Sequence, residues 1–227
     1  MNPQLIIFDC DGVLVDSEPI AMRVLLETIA QAGVFLGESE AYKQFLGKSL
    51  VTISGILVER FGVGPDCLGA DGMRLRLFAA FRAALKPMPG IKAALAALSM
   101  PRCVASSSQI ERVRLSLDLT GLRGAFEPHL FSATMVARGK PAPDLFLHAA
   151  EAMGVPPAGC TVIEDSPAGI EAARAAGMRA VGFCGGGHAP AADLRRALPE
   201  AGADTLFDDM RDLPRLLTET AAQQRRL

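Results

Sequence analysis

Six short apolar runs, most of them separated by helical patterns, constrain the fold more than any other feature of this sequence. The first, Leu5-Ile6-Ile7-Phe8, shows no polar alternation, which is typical of a strand buried on both faces of a parallel sheet. The others cover residues 103–105, 130–131, 161–163, 180–183 and 205–207. Strands that alternate with helices form right-handed βαβ units, so the sequence predicts an α/β fold with a doubly wound parallel sheet.

Residues 17–85 interrupt this alternation, because they contain helical patterns but no convincing strand. One helix is predicted to begin after Ser17, whose hydroxyl can cap its N-terminus, and to end at Gly33. Two more helices are predicted over residues 49–59 and 66–85.

The chain is therefore predicted to contain two domains. Residues 1–16 and 86–227 would form an α/β core with a Rossmann-like sheet, and residues 17–85 would form a helical insert. The two exits of the insert, near Val15-Asp16 and over residues 86–90, are the expected hinges.

Polar side chains follow four of the predicted strands, at the points where the apolar runs end. They are Asp9 and Asp11 after the first run, Ser106 and Ser107 after the second, Lys140 in the loop after the third, and Glu164 and Asp165 after the fourth. Because ligands of open parallel sheets bind beyond the carboxyl ends of the strands, we expect these side chains to share one crevice.

This set of side chains suits phosphoryl transfer. Crowded carboxylates raise one another's pKa unless a cation lies among them, and Mg²⁺ is the usual cation beside a phosphate. Asp9 is the natural nucleophile for an aspartyl-phosphate, and Asp11 could protonate the leaving alcohol and later deprotonate water. Lys140 could balance the charge of the phosphate, and the Ser106 hydroxyl could donate to its oxygens.

Four segments at these strand ends form an ordered set of motifs. They are Phe8-Asp9-Cys10-Asp11-Gly12-Val13-Leu14-Val15-Asp16-Ser17-Glu18, Val104-Ala105-Ser106-Ser107-Ser108, Gly139-Lys140-Pro141-Ala142-Pro143-Asp144 and Val162-Ile163-Glu164-Asp165-Ser166-Pro167-Ala168-Gly169. Together they resemble the four motifs of the haloacid dehalogenase (HAD) superfamily of phosphatases, over nearly the whole chain. The insert resembles the small helical cap of the subgroup with phosphoglycolate phosphatase, β-phosphoglucomutase and sugar-phosphate phosphatases. Residues 103–106 and 182–184 resemble a bacterial branch that includes a 6-phosphogluconate phosphatase.

The resemblance implies a Mg²⁺-dependent phosphomonoester hydrolase that acts on a small phosphorylated metabolite, either a sugar phosphate or a sugar-acid phosphate. It implies that Asp9 is the nucleophile and Asp11 the general acid and base. The implied metal ligands are Asp9, Asp11 through its main-chain carbonyl, Glu164 and Asp165, and the implied phosphate-binding residues are Ser106, Ser107 and Lys140.

Two other functions stay open. A β-phosphoglucomutase-like phosphotransferase is less favoured, because the histidine and arginine of such mutases align with Ala21 and near Leu50 in this sequence. A catalytically idle protein that binds a phosphorylated metabolite and regulates a partner would bind Mg²⁺ and ligand without turnover. Substrate choice is expected to come from the cap, where Glu18 and Lys48 are the candidates for contact with the substrate.

Composition excludes several other classes. The formal net charge of −2 and the pI of about 5.9 do not indicate a nucleic-acid surface. No apolar run approaches the ~20 residues of a spanning helix, and the first residues do not resemble a secretory signal. The five cysteines are Cys10, Cys67, Cys103, Cys160 and Cys184, and their spacing predicts free thiols in a reducing cytoplasm. We expect a monomer or a homodimer.

One further segment has no role in this prediction. His188 follows Gly185-Gly186-Gly187 beyond the fifth run, and this segment is expected to be a flexible loop at the rim of the crevice.

Overall fold

A computed structural model of the chain describes residues 3–48, 50–64 and 68–224. Six parallel strands form one sheet in the order β3-β2-β1-β4-β5-β6. They are β1 (Leu5–Phe8), β2 (Arg102–Ser106), β3 (Leu130–Ser132), β4 (Cys160–Glu164), β5 (Arg179–Phe183) and β6 (Thr205–Phe207). Every strand lies on a predicted apolar run, so the predicted doubly wound α/β fold is confirmed.

Helices cover both faces of the sheet. In chain order the described residues form α1 (Glu18–Gln31), α2 (Glu38–Phe45), α3 (Leu50–Phe61), α4 (Ala70–Ala84), α5 (Ile91–Ala97), α6 (Ile110–Thr120), α7 (Asp144–Ala152), α8 (Pro167–Ala175), α9 (Leu194–Glu200) and α10 (Leu213–Gln224). Ile6 and Phe8 of β1 face a hydrophobic cluster with α5, α6 and α10, whereas Leu5 and Ile7 face a cluster with α7, α8 and α9. Successive side chains of a strand point to opposite faces, which explains why the runs are apolar at every position.

Helix α8 shows how the sequence sets the end of a helix beside the site. Ser166 is its N-cap, and the Ser166 hydroxyl accepts a hydrogen bond from the amide of Gly169 at 3.1 Å. Pro167 is the first helical residue and Gly177 has a positive φ just beyond the end, as the sequence predicts.

The insert consists of α1 to α4, with α1 packed against α2 and α4. Helix α2 is missing from the sequence prediction, although its buried residues Ala41, Tyr42 and Phe45 have helical spacing. The predicted cap at Ser17 is wrong in one respect, since the Ser17 hydroxyl makes no capping hydrogen bond and donates to Asp11 instead. The predicted starts of two helices, at residues 49 and 66, lie outside the described residues.

The two predicted hinge segments lie side by side. Val15 forms an antiparallel bridge with Pro87, and the amide of Asp16 donates to the carbonyl of Lys86 at 3.0 Å. The hydrophobic cluster on the α7–α9 face of the sheet continues into α1 to α4. The division into core and insert therefore stays a prediction.

Within the described part of the chain, no helix has both the length and the apolar character needed to cross a membrane.

The cysteines that the structure describes are free and buried, namely Cys10, Cys103, Cys160 and Cys184. Cys67 lies outside the described residues.

Candidate active site

A cavity of about 590 Å³ lies beyond the carboxyl ends of β1, β2 and β4, between the sheet and helices α1, α3 and α4. The sheet order places it where the chain connections change direction, between β1 and β4, which is the usual ligand site of a doubly wound sheet. All seven residues predicted at the strand ends line its wall: Asp9, Asp11, Ser106, Ser107, Lys140, Glu164 and Asp165.

Lys140 joins two of the strand ends. Its Nζ lies 2.6 Å from Asp9 Oδ1 and 2.6 Å from Glu164 Oε1, and it also donates to the carbonyl of Ala105 at 3.1 Å. The Lys140 side chain is only 1% exposed and its ammonium group lies 4.8 Å from the centre of the Phe146 ring. Lys140 is therefore a buried cation that holds Asp9 in place.

Glu164 is fixed from the other side. Its Oε2 accepts hydrogen bonds from the amides of Asp165 and Ser166, both at 2.9 Å, and from the Ser166 hydroxyl at 3.0 Å. Gly169 leaves room for this carboxylate, because a Cβ at that position would lie 1.9 Å from Glu164 Oε1. Both oxygens of Glu164 are thus bound within the protein.

The surroundings of Asp9 and Asp165 raise the pKa values of both carboxyl groups. Burial, together with the neighbouring carboxylates, raises the pKa of Asp9 well above its ordinary value, in opposition to Lys140. Burial and the charge of Glu164 likewise raise the pKa of Asp165. A further cation beside these carboxylates would relieve the repulsion.

Asp165 also packs against Gly12 of the first motif and against His188, which was expected at the rim of the crevice. Gly12 has φ +76°, and a Cβ on it would lie 1.7 Å from Asp165 Oδ2. His188 Nε2 lies 3.0 Å from the same oxygen, without the alignment of a hydrogen bond. His188 is fully buried and its ring lies 5.8 Å from the Tyr42 ring of α2. The predicted position of His188 at the rim of the crevice is therefore wrong, because His188 is packed beneath α2 of the insert, whereas the flexibility of the glycine segment stays a prediction.

Asp11 has a different environment from Asp9. The Ser17 hydroxyl donates to Asp11 Oδ1 and the Ser108 hydroxyl to Oδ2, both at 2.6 Å, and Arg112 Nη2 donates to Oδ1 at 2.8 Å. Burial raises the pKa of Asp11, but Arg112 and the two hydroxyl groups outweigh it and hold the pKa below its ordinary value. The structure therefore favours an ionised Asp11 beside a less acidic Asp9.

The serine segment after β2 supplies hydroxyl groups to the cavity. Ser106 is buried and its Oγ accepts a hydrogen bond from the Ser108 amide at 3.1 Å, whereas Ser107 is partly exposed on the cavity wall. Gln109, not one of the serines, is the N-cap residue of α6. The serine hydroxyls are thus not used as helix caps.

The predicted cap residues also reach the cavity. Glu18 and Lys48 both line it, and Lys48 is exposed. Gly47 approaches the core so closely that a Cβ would lie 2.7 Å from Ser166 Oγ. The loop between α2 and α3 therefore lies over the site.

Arg112 is the main site residue that the sequence analysis missed. It lies in the first turn of α6, and its guanidinium group is 5.1 Å from the centre of the Phe81 ring in α4. The only indication in the sequence is an arginine in the first turn of the helix that follows the second motif. Sequence alone could not show that its long side chain turns back to Asp11.

The site fits Mg²⁺ through oxygen donors. Among the described residues, no three His, Cys, Asp or Glu side chains converge closely enough to hold a metal by themselves. Mg²⁺ needs only one or two protein carboxylates when phosphate and water complete its shell. Asp165 Oδ2 is a buried oxygen without a hydrogen-bond partner among the described residues, and Asp9 is a carboxylate whose pKa the charge of Asp165 helps to raise.

Comparisons with known proteins agree with this geometry. The family model described as haloacid dehalogenase-like hydrolase matches residues 3–177. The 6-phosphogluconate phosphatase of Escherichia coli K12 is 33% identical over 186 residues, which is 82% of this chain and 84% of the relative.

Two solved structures show the same fold. A haloacid dehalogenase-like protein of unknown function from Agrobacterium tumefaciens is 39% identical with a TM-score of 0.83, over 96% of this chain and 99% of its own. A HAD family hydrolase from Deinococcus radiodurans, solved with bound phosphate and sodium, is 32% identical with a TM-score of 0.77, over 97% of each chain.

These matches confirm the predicted family and the predicted enzyme class, a phosphatase. The chain belongs to the haloacid dehalogenase-like hydrolases.

Proposed function

We propose that this protein is a Mg²⁺-dependent phosphomonoester hydrolase that acts on a small phosphorylated metabolite through an aspartyl-phosphate on Asp9. The observation that carries the proposal is the Lys140 ammonium group, which lies 2.6 Å from Asp9 and from Glu164 at the wall of one cavity. It fixes the nucleophile and brings positive charge to the place where a phosphoryl group would arrive.

The first step is attack on phosphorus. An Asp9 oxygen forms a bond to phosphorus while the bond from phosphorus to the ester oxygen breaks, and Asp11 gives a proton to the leaving oxygen. Ser106, Ser107 and Lys140 bind the phosphoryl oxygens. In the structure Arg112 holds Asp11 as the carboxylate, so the acid role requires this contact to be lost and Asp11 to take up a proton from solvent when substrate binds.

The second step is hydrolysis. Asp11, now ionised, takes a proton from water, and the water oxygen attacks phosphorus as the bond to Asp9 breaks. The three hydrogen bonds to Asp11 favour this ionised state. The products are inorganic phosphate and the free alcohol, and Asp9 is regenerated as the carboxylate.

Asp9, Asp165 and the main-chain carbonyl of Asp11 would hold the metal ion. Mg²⁺ supplies charge that offsets the crowded carboxylates and the transferring phosphoryl group. Glu164 was also predicted as a ligand, but the hydrogen bonds to both of its oxygens support a role in fixing Lys140 and the start of α8.

The proposed substrate class is a sugar phosphate or a sugar-acid phosphate, supported by the 33% identity to a 6-phosphogluconate phosphatase. Ala21 and Leu50 line the cavity with apolar side chains, which supports hydrolysis over transfer to a second phosphorylated sugar. Closure of α1 to α4 over the core would exclude water from the first step. The buried free thiols support a reducing cytoplasm, and a monomer or homodimer stays a prediction.

Phosphate release from a panel of sugar phosphates, sugar-acid phosphates, phosphoglycolate and nucleotides tests the proposal. We expect turnover with Mg²⁺, no turnover with a chelator, and none from a folded Asp9→Asn variant. Turnover by Asp9→Asn would contradict the nucleophile. Binding of Mg²⁺ and ester without turnover by the unmodified protein would favour the regulatory alternative.

A further inference from the structure

Arg112 is a cation in the cavity wall for which the proposed reaction uses only its contact with Asp11, and which it does not place on the substrate. It lies on α6 of the predicted core, and its side chain is 18% exposed. Lys140, at a different strand end, already provides the cation for the phosphoryl group. Arg112 is a second cation in the core wall of this cavity, and it can bind a negative charge of the substrate other than the transferred phosphoryl group.

The contacts of Arg112 leave part of its guanidinium group unused. Only Nη2 contacts Asp11, so the interaction is not the two-point pairing that an arginine makes with a well-placed carboxylate. Nε is buried and has no hydrogen-bond partner among the described residues. The Phe81 ring supports the group by a cation–π contact without using its donors.

Asp11 does not depend on Arg112 for its hydrogen bonds. Ser17 and Ser108 each donate to one of its oxygens at 2.6 Å, so both oxygens stay satisfied when the arginine turns away. Arg112 can therefore leave Asp11 and bind another anion, and both oxygens of Asp11 still accept a hydrogen bond.

The position of Arg112 identifies the part of the substrate that it would meet. Asp11 acts on the ester oxygen, so a group beside Asp11 lies on the leaving-group side of the phosphoryl group. From the insert, the exposed cation Lys48 and the carboxylate Glu18 line the same cavity. Arg112 is therefore the core guanidinium group that lies beside the leaving-group part of the substrate.

We propose that Arg112 exchanges Asp11 for a second anionic group, a carboxylate or a phosphate, on the leaving-group part of the substrate. This inference rests on the proposed function and narrows its substrate class to phosphate esters that carry a further acid group. It also places a specificity-determining residue on α6, whereas the sequence analysis expected substrate choice from the cap alone.

Two matched substrate pairs test the inference. In the first pair, 6-phosphogluconate has a carboxylate where glucitol 6-phosphate has a hydroxymethyl group. In the second pair, glucose 1,6-bisphosphate has a second phosphate that glucose 6-phosphate lacks. We expect the protein to favour the anionic member of at least one pair by a kcat/KM ratio on the order of 100-fold. The pair that shows the preference identifies the anion.

The variants separate recognition from a structural role. Arg112→Met should reduce the ratio to within about threefold of unity, and Arg112→Lys should give an intermediate ratio, because lysine lacks the planar fork. Arg114→Met is the matched control, since Arg114 is half exposed on the same helix and pairs with Glu127 at 3.6 Å, and it should leave the ratio unchanged. If Arg112 only positions Asp11, its loss lowers kcat/KM equally for both members of a pair, which would overturn the inference.

Failure of the inference and failure of the proposed function are distinguishable. Turnover by the unmodified protein without preference for either anionic member overturns the inference alone. Absence of Mg²⁺-dependent turnover on all four esters overturns the proposed function. In that case the melting temperature of the protein with each ester present tests the inference. A larger rise with the anionic member of a pair would support it, and equal rises with both members would overturn it. If Arg112→Met fails to fold, the Arg112→Lys ratio serves in its place.

Discussion

Replacement of Lys140 by methionine removes the charge on which the core of the site depends. The ammonium group has about 1% exposure and bridges Asp9 and Glu164 at 2.6 Å. Methionine keeps much of the side-chain length and its contact with Phe146, so the variant removes the cation with little loss of packing. Two buried carboxylates then face each other without a cation between them.

The expected cost follows from these contacts. Removal of one partner from a buried ion pair costs about 3–5 kcal/mol, because the remaining charge is buried without compensation. Glu164 keeps three other donors, which places the expected loss near the lower end, about 3 kcal/mol. For a chain of this size we expect the melting temperature to fall by about 6–12 °C.

The assay is thermal unfolding of metal-free protein, followed by circular dichroism across pH. Burial already raises the pKa of Asp9, and loss of Lys140 raises it further. The folded variant then binds more protons than the unfolded chain, so its deficit is largest near pH 7 and shrinks as the pH falls towards the ordinary carboxyl range. Adding Glu164→Gln to the variant should restore about 1–2 kcal/mol, since one of the two charges is gone. A Lys140→Met melting temperature within 2 °C of the unmodified protein at pH 7, or a deficit that grows on acidification, would refute this reasoning.

Three further predictions concern stability and reactivity. Gly169→Ala should destabilise the protein by about 2 kcal/mol or more, because its Cβ would overlap the Glu164 carboxylate. Gly55→Ala, at an exposed position of α3, should instead stabilise the protein by up to about 1 kcal/mol. Equal effects of the two substitutions in chemical denaturation would argue against the close packing at Gly169. Burial raises the pKa of Glu18 to about 7, so the folded protein binds a proton more tightly at this position than the unfolded chain does. In metal-free protein, the unmodified chain should therefore lose about 2 kcal/mol of stability relative to Glu18→Gln as the pH rises from about 4.5 to 7. A difference that does not change with pH would contradict this. Burial raises the pKa of Cys160 to about 11, so iodoacetamide at pH 8 should leave this thiol unmodified in folded protein and label it after unfolding, as mass spectrometry can show.

Most of the core could be predicted from the sequence because its signals are local. The strands of a parallel sheet are buried on both faces, so their apolar runs stand out from the helices around them. The start of α8 is encoded by Ser166 and Pro167 in the same way. The strand-end residues then follow from topology, since parallel strands bring their carboxyl ends to one edge.

The parts that sequence reasoning missed depend on long-range packing. Ser17 looks like a helix cap, but its hydroxyl lies within 2.6 Å of Asp11 and takes that partner instead. His188 follows three glycines, a pattern that predicts an open loop at the rim, yet His188 is buried against Tyr42. At Gly185 a Cβ would lie 2.1 Å from the carbonyl oxygen of Asp208, so this glycine allows a close approach of the backbone. A run of glycines gives the same sequence pattern whether it forms an open loop or a close contact, and the two are distinguished by residues distant in the sequence.

The covalent intermediate is the central claim of the proposed function, and acid quenching tests it most directly. Protein that is turning over a preferred ester with Mg²⁺ is stopped in acid, digested with pepsin at low pH to preserve an acyl phosphate, and mapped by mass spectrometry. The account predicts the mass of one phosphoryl group on Asp9, lost after brief exposure to alkali and absent from Asp9→Asn. Rapid turnover with a phosphoryl group on another residue would contradict it.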